Sequence, residues 1–169
     1  MKTWKFIGLM MIASCTFQAC DKDDIDKGDE IEFVSKAASS NLFEIESGRL
    51  AVNNGVSVQV KAYGNHMITD HTMATAELNT VASQNGIAVP TSMNADHQTM
   101  YNTLAAKSGV DFDRTYAQMM VDSHQRTLAL FEEAAEDLDV PAIKAFAASK
   151  LDVLRHHLEE AQTLRTSVQ

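Results

Sequence analysis

Residues 111–137 read DFDRTYAQMMVDSHQRTLALFEEAAED, and after Leu138-Asp139-Val140 residues 141–161 read PAIKAFAASKLDVLRHHLEEA. In the first run Tyr116, Met120, Phe131 and Ala135 recur at helical spacing. In the second Ile143, Ala147, Leu151, Leu154, Leu158 and Ala161 do the same. Apolar residues every three or four positions place one stripe along each of two helices. Asp111 stands where it can cap the free amides at the start of the first helix. Asp139-Val140-Pro141 reads as a cap followed by proline in the first turn of the second. So short a joint folds the two back on each other as an antiparallel pair.

Working outward, the same pattern fills the rest of the chain. A helix is predicted from Ile31 to Asn54, with Val34, Ala38, Ile45 and Val52 inward and Gly55 as a left-handed stop. The next runs from Ser57 to Asn85 over Val60, Tyr63, Met67, Ala74, Leu78 and Val81, and ends at Asn85-Gly86. After Pro90 a shorter helix is expected from Asn94 to Lys107, closed by Ser108-Gly109. No long stretch alternates with period two, so no sheet is expected. Each long helix has one apolar stripe and one polar face, so the four must bury their stripes against one another in an all-α bundle. The connection from Gly86 to Val110 is long enough to cross the bundle. That gives the order of a ferritin-like four-helix bundle with a short extra helix between helices two and three. A plain up-and-down bundle with a short lateral helix is the alternative.

The 169 residues carry 14 Lys+Arg against 23 Asp+Glu, a net charge of −9. The length suits one domain with a short extension. The acidic balance, without a basic run, excludes a nucleic-acid partner, because phosphate attraction needs clustered cations. Residues 1–19 combine Lys2 and Lys5 with the apolar run from Phe6 to Phe17, which reads as an export signal too short to span a bilayer. Both cysteines lie in or next to this segment, so the mature domain has no internal disulfide. The end of the leader resembles a bacterial lipoprotein box, and two registers compete. Ile12-Ala13-Ser14-Cys15 has the better preceding residues. Phe17-Gln18-Ala19-Cys20 is followed by Lys22-Asp23-Asp24, similar to an export signal of surface lipoproteins, and Cys20 is preferred as the lipid attachment site, with Cys15 as the alternative. Removing the leader takes Lys2 and Lys5 and no acid, leaving the mature chain more acidic. Residues 20–30 then form an acidic, flexible tether ahead of a bundle domain at 31–166.

Several polar residues fall on the apolar stripes. On a helical wheel Asp70 and His71 straddle the line through Met67 and Ala74, His124 lies by Met120, His157 flanks Leu154, and Glu44 sits at the edge of the inner face of helix one. At about 1.5 Å of rise per residue, all five reach mid-bundle within one or two turns of one another. Two readings follow. In the first, these groups form a buried hydrogen-bond network that fixes helix register. In the second, Glu44 and Asp70 supply oxygen and His71, His124 and His157 supply nitrogen to a metal ion, iron or zinc. A carboxylate-bridged di-iron centre would need Glu-x-x-His on two helices, and Leu154 occupies that place before His157. Methionine beside imidazole can hold copper, but at stripe spacing Met67 and Met120 read as core. His97 is expected to cap the short helix at the surface, and His66 and His156 to face outward. Glu132, Glu133, Glu136, Glu159 and Glu160 read as a solvated face. The spacing of Met67 to His71 recurs as Met120 to His124, which suggests a repeated helix pair.

Taken together, Asn41-Leu42-Phe43-Glu44-Ile45-Glu46-Ser47-Gly48-Arg49-Leu50-Ala51, Met67-Ile68-Thr69-Asp70-His71, Asp96-His97-Gln98, Phe112-Asp113-Arg114-Thr115-Tyr116, His124 and His157-Leu158 resemble the ferritin-like bacterial family named domain of unknown function 4142. The similarity covers about Glu32 to Leu164. It implies an exported helical bundle of the cell envelope, associated with the outer membrane and without an assigned reaction. Where such sequences commonly have Leu-Pro in the last helix, this chain has Leu151-Asp152.

No nucleophile elbow, phosphate loop or dinucleotide fingerprint occurs. The expected function is therefore a non-enzymatic envelope lipoprotein, held to the membrane through its N-terminal lipid, whose bundle binds other envelope proteins or small ligands. The alternative is a metal-binding ferritin-like protein in metal handling or oxidative defence. A hydrolase using that metal to activate water stands third.

Overall fold

A computed structural model describes Met1 and residues 27–169; the leader, Cys15, Cys20 and most of the expected tether lie outside the described residues. Five helices follow in order: α1 (Gly28–Asn54), α2 (Val58–Gln84), α3 (Ala95–Ala105), α4 (Gly109–Asp137) and α5 (Pro141–Ser167). Among the described residues there is no strand, and no helix is long and apolar enough to cross a membrane. α1 begins at Gly28 rather than Ile31, so Gly28-Asp29-Glu30 belong to the bundle instead of the tether.

α1 lies against α2, α4 and α3, while α5 lies against α2 and α4. The start of α1 meets the end of α2, where Lys27 Nζ donates to Asn85 O at 2.8 Å. The start of α4 meets the end of α1 instead, through Asp113. The connection holding α3 therefore runs the length of the bundle, as in a ferritin-like order, which sets aside the plain up-and-down alternative. α5 continues unbroken through Leu151-Asp152.

The two hairpins, α1–α2 and α4–α5, are related by a shift of 83 positions. α1 ends at Asn54 and α4 at Asp137, while α2 spans Val58–Gln84 and α5 spans Pro141–Ser167. Contacts between the hairpins obey the same shift reciprocally. Glu30 Oε1 accepts from the backbone N–H of Asp139 and Val140, both at 2.9 Å. Asp113 accepts from the N–H of Val56 at 3.0 Å and Ser57 at 2.7 Å. Ser40 meets Thr127 at 2.9 Å, and its counterpart Ser123 donates to Glu44, the counterpart of Thr127, at 2.6 Å. Such reciprocity is the mark of an approximate internal two-fold axis. It pairs α1 with α4 and α2 with α5, so Met67–His71 on α2 and Met120–His124 on α4 are not counterparts, and the repeat suggested by their spacing is not the one present.

The helix ends differ from expectation. Asp111 does not cap α4, which begins earlier, at Gly109, so that Asp111 lies in its first turn. Asp139 does not cap α5, and Glu30 reaches across from the opposite hairpin to hold the backbone N–H of Asp139 and Val140. Gly55 has φ −59° and ψ 143°, an extended conformation open to any residue, whereas Gly86 takes the left-handed φ of +71° that ends α2. Gly48 and Gly64 let α1 and α2 touch: a Cβ on Gly48 would lie 2.8 Å from the Gly64 carbonyl oxygen. His97 does not cap α3. Asn94 does, and the His97 ring turns inward, stacking on Phe43 with centroids 5.4 Å apart and meeting Ser39 Oγ at 2.6 Å.

The core has two apolar plugs. One gathers Phe33, Val34, Leu78, Phe131, Ile143 and Leu154. The other gathers Phe43, Val60, Met67, Phe112, Tyr116 and Met120, which confirms both methionines as core. Between them lies a polar layer.

Because Glu30 and Asp113 are buried, truncating either strands two backbone N–H donors. Glu30→Ala and Asp113→Ala are each expected to lower the unfolding free energy by roughly 2–4 kcal/mol, read from urea titrations. A loss below about 0.5 kcal/mol in either variant would mean that its turn is held by other contacts.

Candidate metal centre

The polar layer is built from one histidine on each of three helices. His71 on α2, His124 on α4 and His157 on α5 are 4%, 1% and 2% exposed. Their rings face each other with centroids 5.8 Å apart for His71–His124, 5.6 Å for His71–His157 and 5.4 Å for His124–His157. One nitrogen of each lies within 4.8 Å of one nitrogen of both others.

The outward nitrogens are all hydrogen-bonded. His71 Nδ1 meets Asn41 Oδ1 at 2.9 Å, His124 Nδ1 meets the Met120 carbonyl at 2.9 Å, and His157 Nε2 meets Asp70 Oδ2 at 3.0 Å. Each partner is an oxygen acceptor, so each of these nitrogens carries the proton. The inward atoms are then lone pairs, and none has a partner: His71 Nε2, His124 Nε2 and His157 Nδ1 are buried and unsatisfied.

Electrostatics agree with neutral rings at His71 and His157. Burial, reinforced by the His124 and His157 rings, holds the His71 imidazole well below its ordinary 6.5. Burial, with His124, brings His157 down to about 4 against the opposing pull of Asp70.

The five residues singled out in the sequence thus divide. Three imidazoles converge. Asp70 stands behind His157 as its acceptor. Glu44 is buried beside the far side of His124, its Oε1 3.9 Å from Nδ1 and accepting from Ser123 Oγ, with Oε2 unpartnered. Burial pushes the Glu44 carboxyl up, against the pull of His124 and Ser123.

A hydrogen-bond network alone does not account for this layer. Three lone pairs aimed at one point leave each imidazole desolvated without compensation. A water molecule has two protons and can satisfy at most two of them; a cation satisfies all three. Tetrahedral ligands at a zinc ion lie about 3.4 Å from one another, so each ring would move inward by under about 1 Å. The outward bonds to a carboxylate, a carbonyl and an amide oxygen are those that orient metal-bound histidines and raise their basicity.

Three residues of this region escaped the sequence reading. Asn41 orients His71. His66, expected to face outward, is partly buried between Asp70 and Glu160. Glu160, assigned to the solvated face, turns toward it. The four-residue step from His66 to Asp70 was a visible signal for the second.

The metal-free protein has a definite pH dependence. Above about pH 6.5, His71 and His157 are neutral whether folded or unfolded. Below that, the unfolded chain takes up protons that the folded chain refuses, at His157 until near pH 4, so stability falls as pH falls through this window. Glu44, with its raised value, acts in the opposite direction and is common to both proteins compared. Chelator-treated wild type is expected to lose more stability between pH 7 and pH 5 than His71→Leu in urea unfolding. An equally steep fall in the variant would show that His71 is already protonated when folded.

No curated protein and no solved structure matches the chain. Residues 18–164 match the family described as Domain of unknown function (DUF4142). That span contains all five helices up to Leu164 of α5 and every residue of the histidine cluster. The chain belongs to the DUF4142 family.

Proposed function

We propose that this protein is an exported, lipid-anchored binding protein of the cell envelope whose bundle holds one divalent transition-metal ion through His71, His124 and His157. The observation that carries the metal reading is the set of three inward lone pairs without partners, each on a ring whose other nitrogen is fixed by an oxygen acceptor. Zinc fits three imidazoles with a fourth position open. Iron more often takes a carboxylate beside its histidines, and the buried Glu44 stands behind His124, by its outward nitrogen, which favours zinc. Burial of all three rings keeps bulky substrates away from the ion, which favours metal handling over catalysis on large molecules. The envelope location and outer-membrane anchor are supported by the leader and by the Lys22-Asp23-Asp24 sequence after Cys20.

Metal analysis of the purified mature domain tests the first part. One tightly held zinc or iron ion per chain is expected after purification, lost in both His71→Ala and His124→Ala. At an ion concentration a hundredfold above its dissociation constant the wild type would be stabilised by about 2.7 kcal/mol, and both variants by far less. Metal-free wild type with no thermal shift in either ion would overturn it. Palmitate labelling in cells tests the anchor: Cys20→Ala is expected to abolish incorporation and Cys15→Ala to leave it. Label that survives Cys20→Ala would move the anchor to Cys15, and wild type without label would remove it.

A further inference from the structure

His66 stands on the solvent side of the histidine layer, between two carboxylates. Its Nε2 lies 3.2 Å from Asp70 Oδ2 and its Nδ1 lies 3.1 Å from Glu160 Oε2. His157 reaches the same Asp70 oxygen from the inside with Nε2, at 3.0 Å, and its ring meets that of His66 edge-on with centroids 5.2 Å apart. One ligand atom each of His66, Asp70 and His157 lies within 4.8 Å of the other two. The second cluster shares one residue with the first and differs from it in access. The side chains of His66 and Asp70 are 37% and 26% exposed, and an open groove between α2 and α5 brings solvent to His66, Glu160 and His156. Glu160 Oε2 approaches the His66 nitrogen that faces away from the cluster without forming a hydrogen bond. Glu160 in turn lies 3.5 Å from His156 through Oε1.

We propose that His66 Nε2, Asp70 and His157 Nε2 form a second, solvent-facing site for a divalent transition-metal ion, and that the buried triad is loaded through it. Two nitrogens and one carboxylate oxygen, with the remaining positions open to water, suit capture of a hydrated ion. His157 links the two sites. A neutral imidazole has one lone pair, so the ring serves the outer ion through Nε2 or the inner ion through Nδ1, one at a time. When the ion passes inward, the proton on Nδ1 leaves and one is gained on Nε2, where Asp70 accepts it; this is the tautomer implied by the Asp70 contact in the structure. The ring changes tautomer and not charge, so no net proton is gained or lost at His157. Loading of the triad rests on the metal-binding reading above, whereas the outer site has its own ligands.

Cobalt(II), added to metal-free mature protein and followed by visible absorption in stopped flow, separates the two sites. His66→Ala is expected to reach the same final occupancy as wild type but to fill on the order of tenfold more slowly. His124→Ala is expected to keep one weakly held ion, which the added His66→Ala change removes. Circular dichroism confirms that each variant is folded. Filling of His66→Ala at the wild-type rate overturns the loading route, and a weak ion in His124→Ala that is indifferent to His66 overturns the outer site. Loss of the tight ion from His66→Ala overturns the division into two sites. Wild type that takes up cobalt normally while any of these occurs leaves the triad standing; wild type that takes up none sinks both readings.

Discussion

A polar layer between two apolar plugs is stable only if each polar atom in it finds a partner, because the plugs exclude the water that would otherwise supply one. Most of this layer obeys. Ser40 meets Thr127, Ser123 meets Glu44, Asn41 holds His71, Asp70 holds His157, and a backbone carbonyl holds His124. The outer bonds fix the tautomer of each ring, and in fixing it they point three lone pairs at one another. That point, like the unpartnered Glu44 Oε2 behind His124, is incomplete in protein atoms alone.

The internal two-fold explains how such a layer is held in register. Reciprocal carboxylates, Glu30 and Asp113, tie each hairpin to the turn of the other, so the hairpins cannot slide without breaking four hydrogen bonds to buried acidic residues. The symmetry stops at the chemistry. The counterpart of His124 on α1 is Asn41, which serves as a second-layer partner to His71 instead of joining the cluster. Three histidines around a pseudo-symmetric axis thus leave one side open, the side on which α1 contributes amide and carboxyl groups.

The histidine layer is also graded from inside to outside. The triad is closed to solvent, Asp70 is partly exposed, and His66, Glu160 and His156 line a groove. A file of alternating imidazoles and carboxylates therefore runs from the surface to the centre along α2 and α5. The rings at the inner end, His71 and His157, sit where water does not reach, and burial disfavours their charged form.

The apolar periodicity by itself determined the number of helices, their bounds to within a few residues, and the burial of His71, His124 and His157, because which face of a helix is hidden follows directly from spacing along the chain. The length of the Gly86–Val110 connection made the crossover legible as well. Roles within the buried layer were not legible. Glu44, Asp70 and the three histidines occupy similar places on their helical wheels, and only the tertiary structure decided that Asp70 and Glu44 stand behind rings while the imidazoles meet. Glu30 as a clasp, Asn41 as an orienting group and His66 as a partner of Asp70 likewise depended on neighbours far off in sequence. Periodicity reports how a helix faces its surroundings, but the partner of a hydrogen-bonding atom is set by the rotation and height of other helices, which no local pattern encodes.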